Sequence, residues 1–230
     1  MRPTFLLMLS LLSFFTIVSS GCDDSSDDTA DVSDATDMAD GTDEQSPFTS
    51  RDSELTVPFE TDCESSERPV VMVHGFLASG DTWSKHSRRF VNNGYCLDQL
   101  YQFDWDTTAL VPDVPPAEQL DEFIDEVRSQ HGGQTVDLMG HSRGGGLGYT
   151  YLSSLQRANK VEHYVHVASN DNEGPAGPSG FPVPTLNLYS AADTIVTGND
   201  GIEGATNVEL TSADHYEVAT SVESFTAIYE

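Results

Sequence analysis

Basic side chains are scarce in this chain. Against 38 Asp and Glu there are 10 Lys and Arg in 230 residues, a formal net charge of −28, and only Lys85 and Lys160 are lysines. A surface of that sign repels phosphate backbones and anionic headgroups, which excludes nucleic acid as a partner. Long apolar runs are missing too. The longest, from Phe5 to Val18, falls short of the roughly 20 residues that cross a bilayer as a helix, which argues against a permanent transmembrane anchor. There is no internal repeat, and the acidic stretches contain no D-x-D-x-D-G loop ending in Glu, so a calcium-binding repeat is not indicated. Cysteine is limited to Cys22, Cys63 and Cys96.

What is present begins with a targeting layout. Met1-Arg2, the apolar run and the small residues Ser19-Ser20-Gly21 before Cys22 read as a signal peptide over residues 1–21 and predict export. Ser20-Gly21-Cys22 resembles a bacterial lipobox, although Ser19 stands where such boxes usually carry Leu or Val. The expectation is a cell-envelope lipoprotein held through a lipid on Cys22, with plain secretion as the alternative. Residues 22–64 carry 15 acids and one base among Ser, Thr and Gly, too few apolar groups to offset the entropy of ordering, and read as a disordered acidic linker. As a flexible coil they span roughly 35–40 Å, enough to hold a domain clear of a membrane. Residues 65–230 then form one domain, expected as a monomer. Cys63 and Cys96 each precede a predicted strand, so a parallel sheet places both at the same edge; a disulfide is expected, two buried thiols being the alternative.

Along that domain apolar runs alternate with helical periodicity. Strands are predicted at 69–73, 97–103, 135–139, 161–167, 185–189 and 207–210. Between them, Trp83, Phe90 and Val91 mark one helix, Leu120, Phe123, Ile124 and Val127 a second, residues 147–155 a third, and Val218, Val222, Phe225 and Tyr229 a last. This is an α/β pattern: about six parallel strands covered by helices on both faces.

Sites in open parallel sheets form beyond the carboxyl ends of the strands. Four positions answer that description: His74-Gly75-Phe76 after the first strand, Ser142 after the third, Asp193 after the fifth and His215 after the sixth. Ser142 lies within Gly140-His141-Ser142-Arg143-Gly144, a G-x-S-x-G nucleophile elbow between strand and helix, and the order Ser, Asp, His is that of the α/β-hydrolase triad. Serine is a poor nucleophile until a base takes its proton, and the base needs an acid to fix its tautomer. Ser142 is therefore assigned as nucleophile, His215 as base and then acid, and Asp193 as orienting carboxylate. The backbone N–H groups of Phe76 and Arg143 are the expected oxyanion donors. The Arg143 guanidinium is expected in solvent or in an ion pair, contact with substrate being the alternative. His141 is read as packing support, His74 as a hydrogen-bonding brace for the oxyanion loop, and Asp214 as too close along the chain to serve the histidine beside it. Near His163 and His166 no Cys or acidic cluster suggests a metal.

The strings PVVMVHGF (69–76), LYQFDWDTT (100–108), VDLMGHSRGG (136–145), NLYSAADTIV (187–196), IEGATNVEL (202–210) and VATSVESFTAIY (218–229) together resemble the class 2 bacterial lipases, small and nearly lidless triacylglycerol lipases with a minimal α/β-hydrolase fold. The resemblance implies hydrolysis of carboxylic esters, triacylglycerols included, without a cofactor or metal, and fixes Asp193 independently of chain order. Gly140 and Arg143 depart from it, standing where the family usually has Ala and Met, and the acidic linker is foreign to it. The expected substrate is a small-molecule or lipid ester. Leu77, Phe181 and Val183 are expected to line its acyl pocket, the last two from a loop at 170–184. The same triad would also serve a polyester hydrolase or an acyltransferase, and a catalytically silent surface binding module is the reading from another class.

Overall fold

A computed structural model describes residues 63–109, 112 and 114–230. The expected signal peptide, the expected lipidation at Cys22 and nearly all of the expected linker lie outside the described residues. Six strands, β1 (Val70–Val73), β2 (Leu100–Phe103), β3 (Val136–His141), β4 (Val161–Val167), β5 (Thr185–Tyr189) and β6 (Thr206–Glu209), form one sheet in the order β2-β1-β3-β4-β5-β6. Every pairing is parallel. The fold is α/β, as the alternation predicts.

Period-2 alternation divides the strand side chains between two cores. Val71, Val73, Val136, Leu138 and Tyr164 pack against α2 (Pro116–Gln130), α3 (Arg143–Leu152) and α4 (Leu155–Ala158). Val70, Met72, Met139, Val165 and Val167 face α1 (Ser84–Asn92) and α5 (Val222–Tyr229) on the other side. All four residues of β1 are buried, because helices cover both its faces. Cys63 and Cys96 are joined in a disulfide, before β1 and β2 and so at the amino edge of the sheet.

Several details differ from expectation, beginning with residues 97–99, which form a 3-10 turn ahead of β2 rather than the start of that strand. The third helix starts at Arg143 rather than 147: three successive glycines weaken local propensity, but close packing beneath the elbow demands the first two, Gly144 and Gly145. A Cβ at Gly140 would lie 2.6 Å from Gly144 O, and one at Gly144 would lie 2.6 Å from the carbonyls of Val73 and His74. In the last segment Val218 and Phe225 are buried while Val222 and Tyr229 are exposed, since a 3-10 turn at Glu217–Ala219 breaks the phase before α5 begins behind its Ser221 cap. Val91 likewise points outward, leaving Trp83 and Phe90 to anchor α1.

Candidate active site

The elbow joins β3 to α3. Ser142 has φ 53° and ψ −122°, a region that costs a non-glycine residue on the order of 1–3 kcal/mol. Local hydrogen bonds hold it there. Ser142 N–H donates to Val167 O at 2.9 Å, and its carbonyl accepts from Gly145 N–H at 2.9 Å and from Ser169 Oγ at 2.8 Å.

Asp193 and His215 reach the same carboxyl edge from the loops after β5 and β6. His215 Nδ1 lies 2.7 Å from Asp193 Oδ2, both side chains buried. Since a carboxylate only accepts, Nδ1 donates and Nε2 is left as the proton acceptor. The other carboxylate oxygen accepts the amides of Ile195 at 2.8 Å and Val196 at 2.9 Å. Burial alone would raise the Asp193 pKa, but the hydrogen bonds from His215 and the two amides outweigh it and hold the group below the usual carboxylate range. Asp214 is spent elsewhere: its Oδ1 accepts the amides of Tyr216 and Glu217. Among the described residues no hydrogen bond joins Ser142 Oγ to His215, a contact that apo sites commonly close only around substrate.

The histidines around the site are braces. His141 Nε2 donates to the His215 carbonyl at 3.0 Å, and the two rings stand 4.7 Å apart. Burial first, and the nearby His215 second, push the His141 pKa down to about 4, so it stays neutral beside His215. Trp105 N–H donates to His74 Nε2 at 3.3 Å, leaving His74 Nδ1–H to donate to Gly75 O at 2.9 Å. Asp104 Oδ1, 3.4 Å from that Nε2, is engaged by the Gly80 amide at 2.7 Å. His163 bonds to Asp137, and His166 to Tyr164 and the Asn170 carbonyl.

One sequence expectation is narrowed and another is corrected here. The Arg143 guanidinium forms no ion pair with any described residue. It lies 5.6 Å from the Phe76 ring centroid and 5.7 Å from that of Trp105, and Nη1 donates to Thr107 O at 2.8 Å. The cleft of about 640 Å³ that contains Ser142 is walled by Trp105, Pro115, Pro116, Ala117 and, from α3, Arg143, Gly146, Leu147 and Thr150, with Ser169, Asn170 and Val196 closing it. Phe181 and Val183 are not in it. They line a different hollow beside Thr135 and Val161, the amino ends of β3 and β4. The reason is topological: β4 and β5 are parallel, so their connection must cross from the carboxyl edge to the amino edge, and residues just before Thr185 end up remote from the site. Leu77 is exposed and does not wall the cleft. Trp105 and Thr107 follow β2 at the carboxyl edge, so the strand-end rule that found Ser142 would have found them as well.

An elbow serine, an Asp–His pair and an apolar cleft thus share one edge of a parallel sheet. The chain matches the class 2 lipases over residues 67–170. The lipase match takes in the loop after β1 and the elbow; Asp193 and His215 lie beyond it and rest on their geometry. Solved structures with the same fold include the lipase BlEst2 of Bacillus licheniformis in mature form, at 16% identity and TM-score 0.58, covering 72% of this chain and 92% of that one. A predicted CIB-like hydrolase from Thermoplasma acidophilum aligns at 19% identity and TM-score 0.51, covering 72% and 86%. An esterase from Exiguobacterium antarcticum, EaEST, aligns at 15% and 0.50, covering 72% and 91%. The domain thus shares the fold of these hydrolases, and its segment 67–170 is similar to the class 2 lipases.

Proposed function

We propose that the domain hydrolyses carboxylic esters, triacylglycerols or shorter acyl esters, through an acyl-enzyme on Ser142. The observation that carries the reading is the 2.7 Å Asp193–His215 contact at the edge where Ser142 is held in its strained turn. Ser142 Oγ attacks the ester carbonyl carbon as its proton passes to His215 Nε2, and the charge gathering on the carbonyl oxygen is received by the N–H groups of Phe76 and Arg143. Collapse breaks the ester C–O bond, and the departing alkoxide takes the proton from Nε2. Water then repeats the sequence on the acyl-enzyme and frees the acid. Asp193, held ionised by its three donors, keeps Nδ1 as the protonated nitrogen throughout.

Ser142→Ala is expected to abolish hydrolysis of p-nitrophenyl esters and labelling by a fluorophosphonate while leaving the far-UV circular dichroism unchanged, because the turn rests on glycines and backbone bonds. Activity near wild type in this variant would remove Ser142 as nucleophile. The sequence before the domain supports export and attachment through a lipid on Cys22. Mass spectrometry of the mature N-terminus tests that part alone: an unmodified terminus would overturn it and leave the chemistry untouched.

A further inference from the structure

The loop that offers one oxyanion donor has little burial to hold it. Phe76 is 51% exposed and Leu77 72% exposed, and Leu77 adopts φ 54°. Its geometry is nevertheless specified at each residue. His74 Nδ1 engages the Gly75 carbonyl, and because a trans peptide aims its C=O and N–H oppositely, the Phe76 N–H points away from His74. Gly75 sits against the nucleophile so closely that a Cβ there would lie 2.9 Å from Ser142 Cβ. Beyond it, Leu77 N–H donates to Thr107 Oγ1 at 3.0 Å, while the carbonyl of the same Thr107 accepts Arg143 Nη1 at 2.8 Å, and the Arg143 guanidinium returns to the Phe76 ring at 5.6 Å. The contacts close a ring: Arg143, Thr107, Leu77, Phe76 and back to Arg143.

We propose that the Arg143 side chain is a positioning residue that fixes the spacing of the two oxyanion donors, its own backbone N–H and that of Phe76, by closing this ring. A guanidinium suits the task because it stacks on an aromatic face and donates in its own plane at once. The Met usual at this position in the resembled family offers no such donor. The proposal rests on the reading of those two amides as the oxyanion hole.

Arg143→Met, Arg143→Lys, Phe76→Leu and the double variant Arg143→Met/Phe76→Leu of the full chain test it, Arg143 being exposed and its replacement compatible with the fold. Hydrogen exchange of the segment 74–78 in the resting protein should quicken about tenfold or more in Arg143→Met, with Arg143→Lys between it and wild type. On p-nitrophenyl butyrate, kcat should fall about tenfold or more with KM within roughly twofold, a part of the loss expected on removing a donor outright. The double variant should be no worse than the worse single, since both cut the same ring. Unchanged exchange would overturn the ring. Faster exchange with unaltered kcat would overturn the positioning role, and a rise in KM alone would make Arg143 a substrate contact instead. A wild-type protein inert toward esters would sink the proposed function, while exchange would still decide the ring.

Discussion

Ser142 occupies a backbone conformation that costs free energy, and the residues that hold it there are conspicuous for having no side chains. Gly144 touches the carbonyls at the end of β1, and Gly140 touches Gly144; neither contact can open without moving the sheet. Gly144→Ala is expected to destabilise the domain by roughly 2 kcal/mol or more, or to keep its fold only by distorting the elbow. Chemical denaturation alongside the rate of fluorophosphonate labelling separates these outcomes. At the proposed acid of the triad, Asp193→Asn keeps the shape but can present an amide N–H to His215 Nδ1, which inverts the tautomer. The expected loss in kcat is roughly three to four orders of magnitude at unchanged melting temperature; a loss below tenfold would show that another group orients His215.

At the scale of elements, the carboxyl ends of the strands carry both the proposed triad and the cleft. Six strands and the placement of Ser142, Asp193 and His215 after the third, fifth and sixth were legible because apolar runs and chain order are local properties. The cleft walls were not, because Trp105, Pro116, Thr150 and Asn170 come together only once β1 has been inserted between β2 and β3. Phe181 and Val183 were misplaced for want of one topological step, the crossing that a parallel pair requires. A measurable contrast follows. Gly146 lies on the cleft side of α3 with open space where a Cβ would stand, so Gly146→Leu should narrow the cleft and shift preference toward shorter acyl chains. Phe181→Ala, at the far edge, should leave the profile of p-nitrophenyl esters unchanged. A profile altered by Phe181→Ala alone would return the acyl site to loop 170–184.

Across the whole molecule, three buried histidines, His86, His141 and His166, contribute to the response to acid. Burial, aided by Arg89, lowers His86 to about 3; burial, aided by His215, lowers His141 to about 4; burial lowers His166 to about 4 against the pull of the Asn170 carbonyl. Each is neutral when folded and protonates near its ordinary value of about 6.5 when unfolded. Their stabilisation is therefore complete above about pH 6.5 and declines as the pH falls toward 4, by up to roughly 1.4 kcal/mol per pH unit for each group. Melting temperatures at pH 7.5, 5.5 and 4.5 should fall in that order, and a curve flat down to pH 4.5 would contradict the burial argument. The Cys63–Cys96 disulfide, closing a separation of 33 residues, contributes roughly 3–4 kcal/mol on the chain-entropy model. Replacing both cysteines with Ser should lower the melting temperature while leaving kcat unaltered, because the bridge and Ser142 lie at opposite edges of the sheet. That separation also decides where mechanical load enters. Tension applied through the chain before Cys63 reaches the domain at the amino edge and divides there, part along the backbone to β1 and part through the sulfur bridge toward β2, two neighbouring parallel strands pulled from the same end. The loops carrying Ser142, Asp193 and His215 hang from the other ends of the sheet, outside the line of force, so a pull on the chain ahead of Cys63 would leave the proposed triad undistorted.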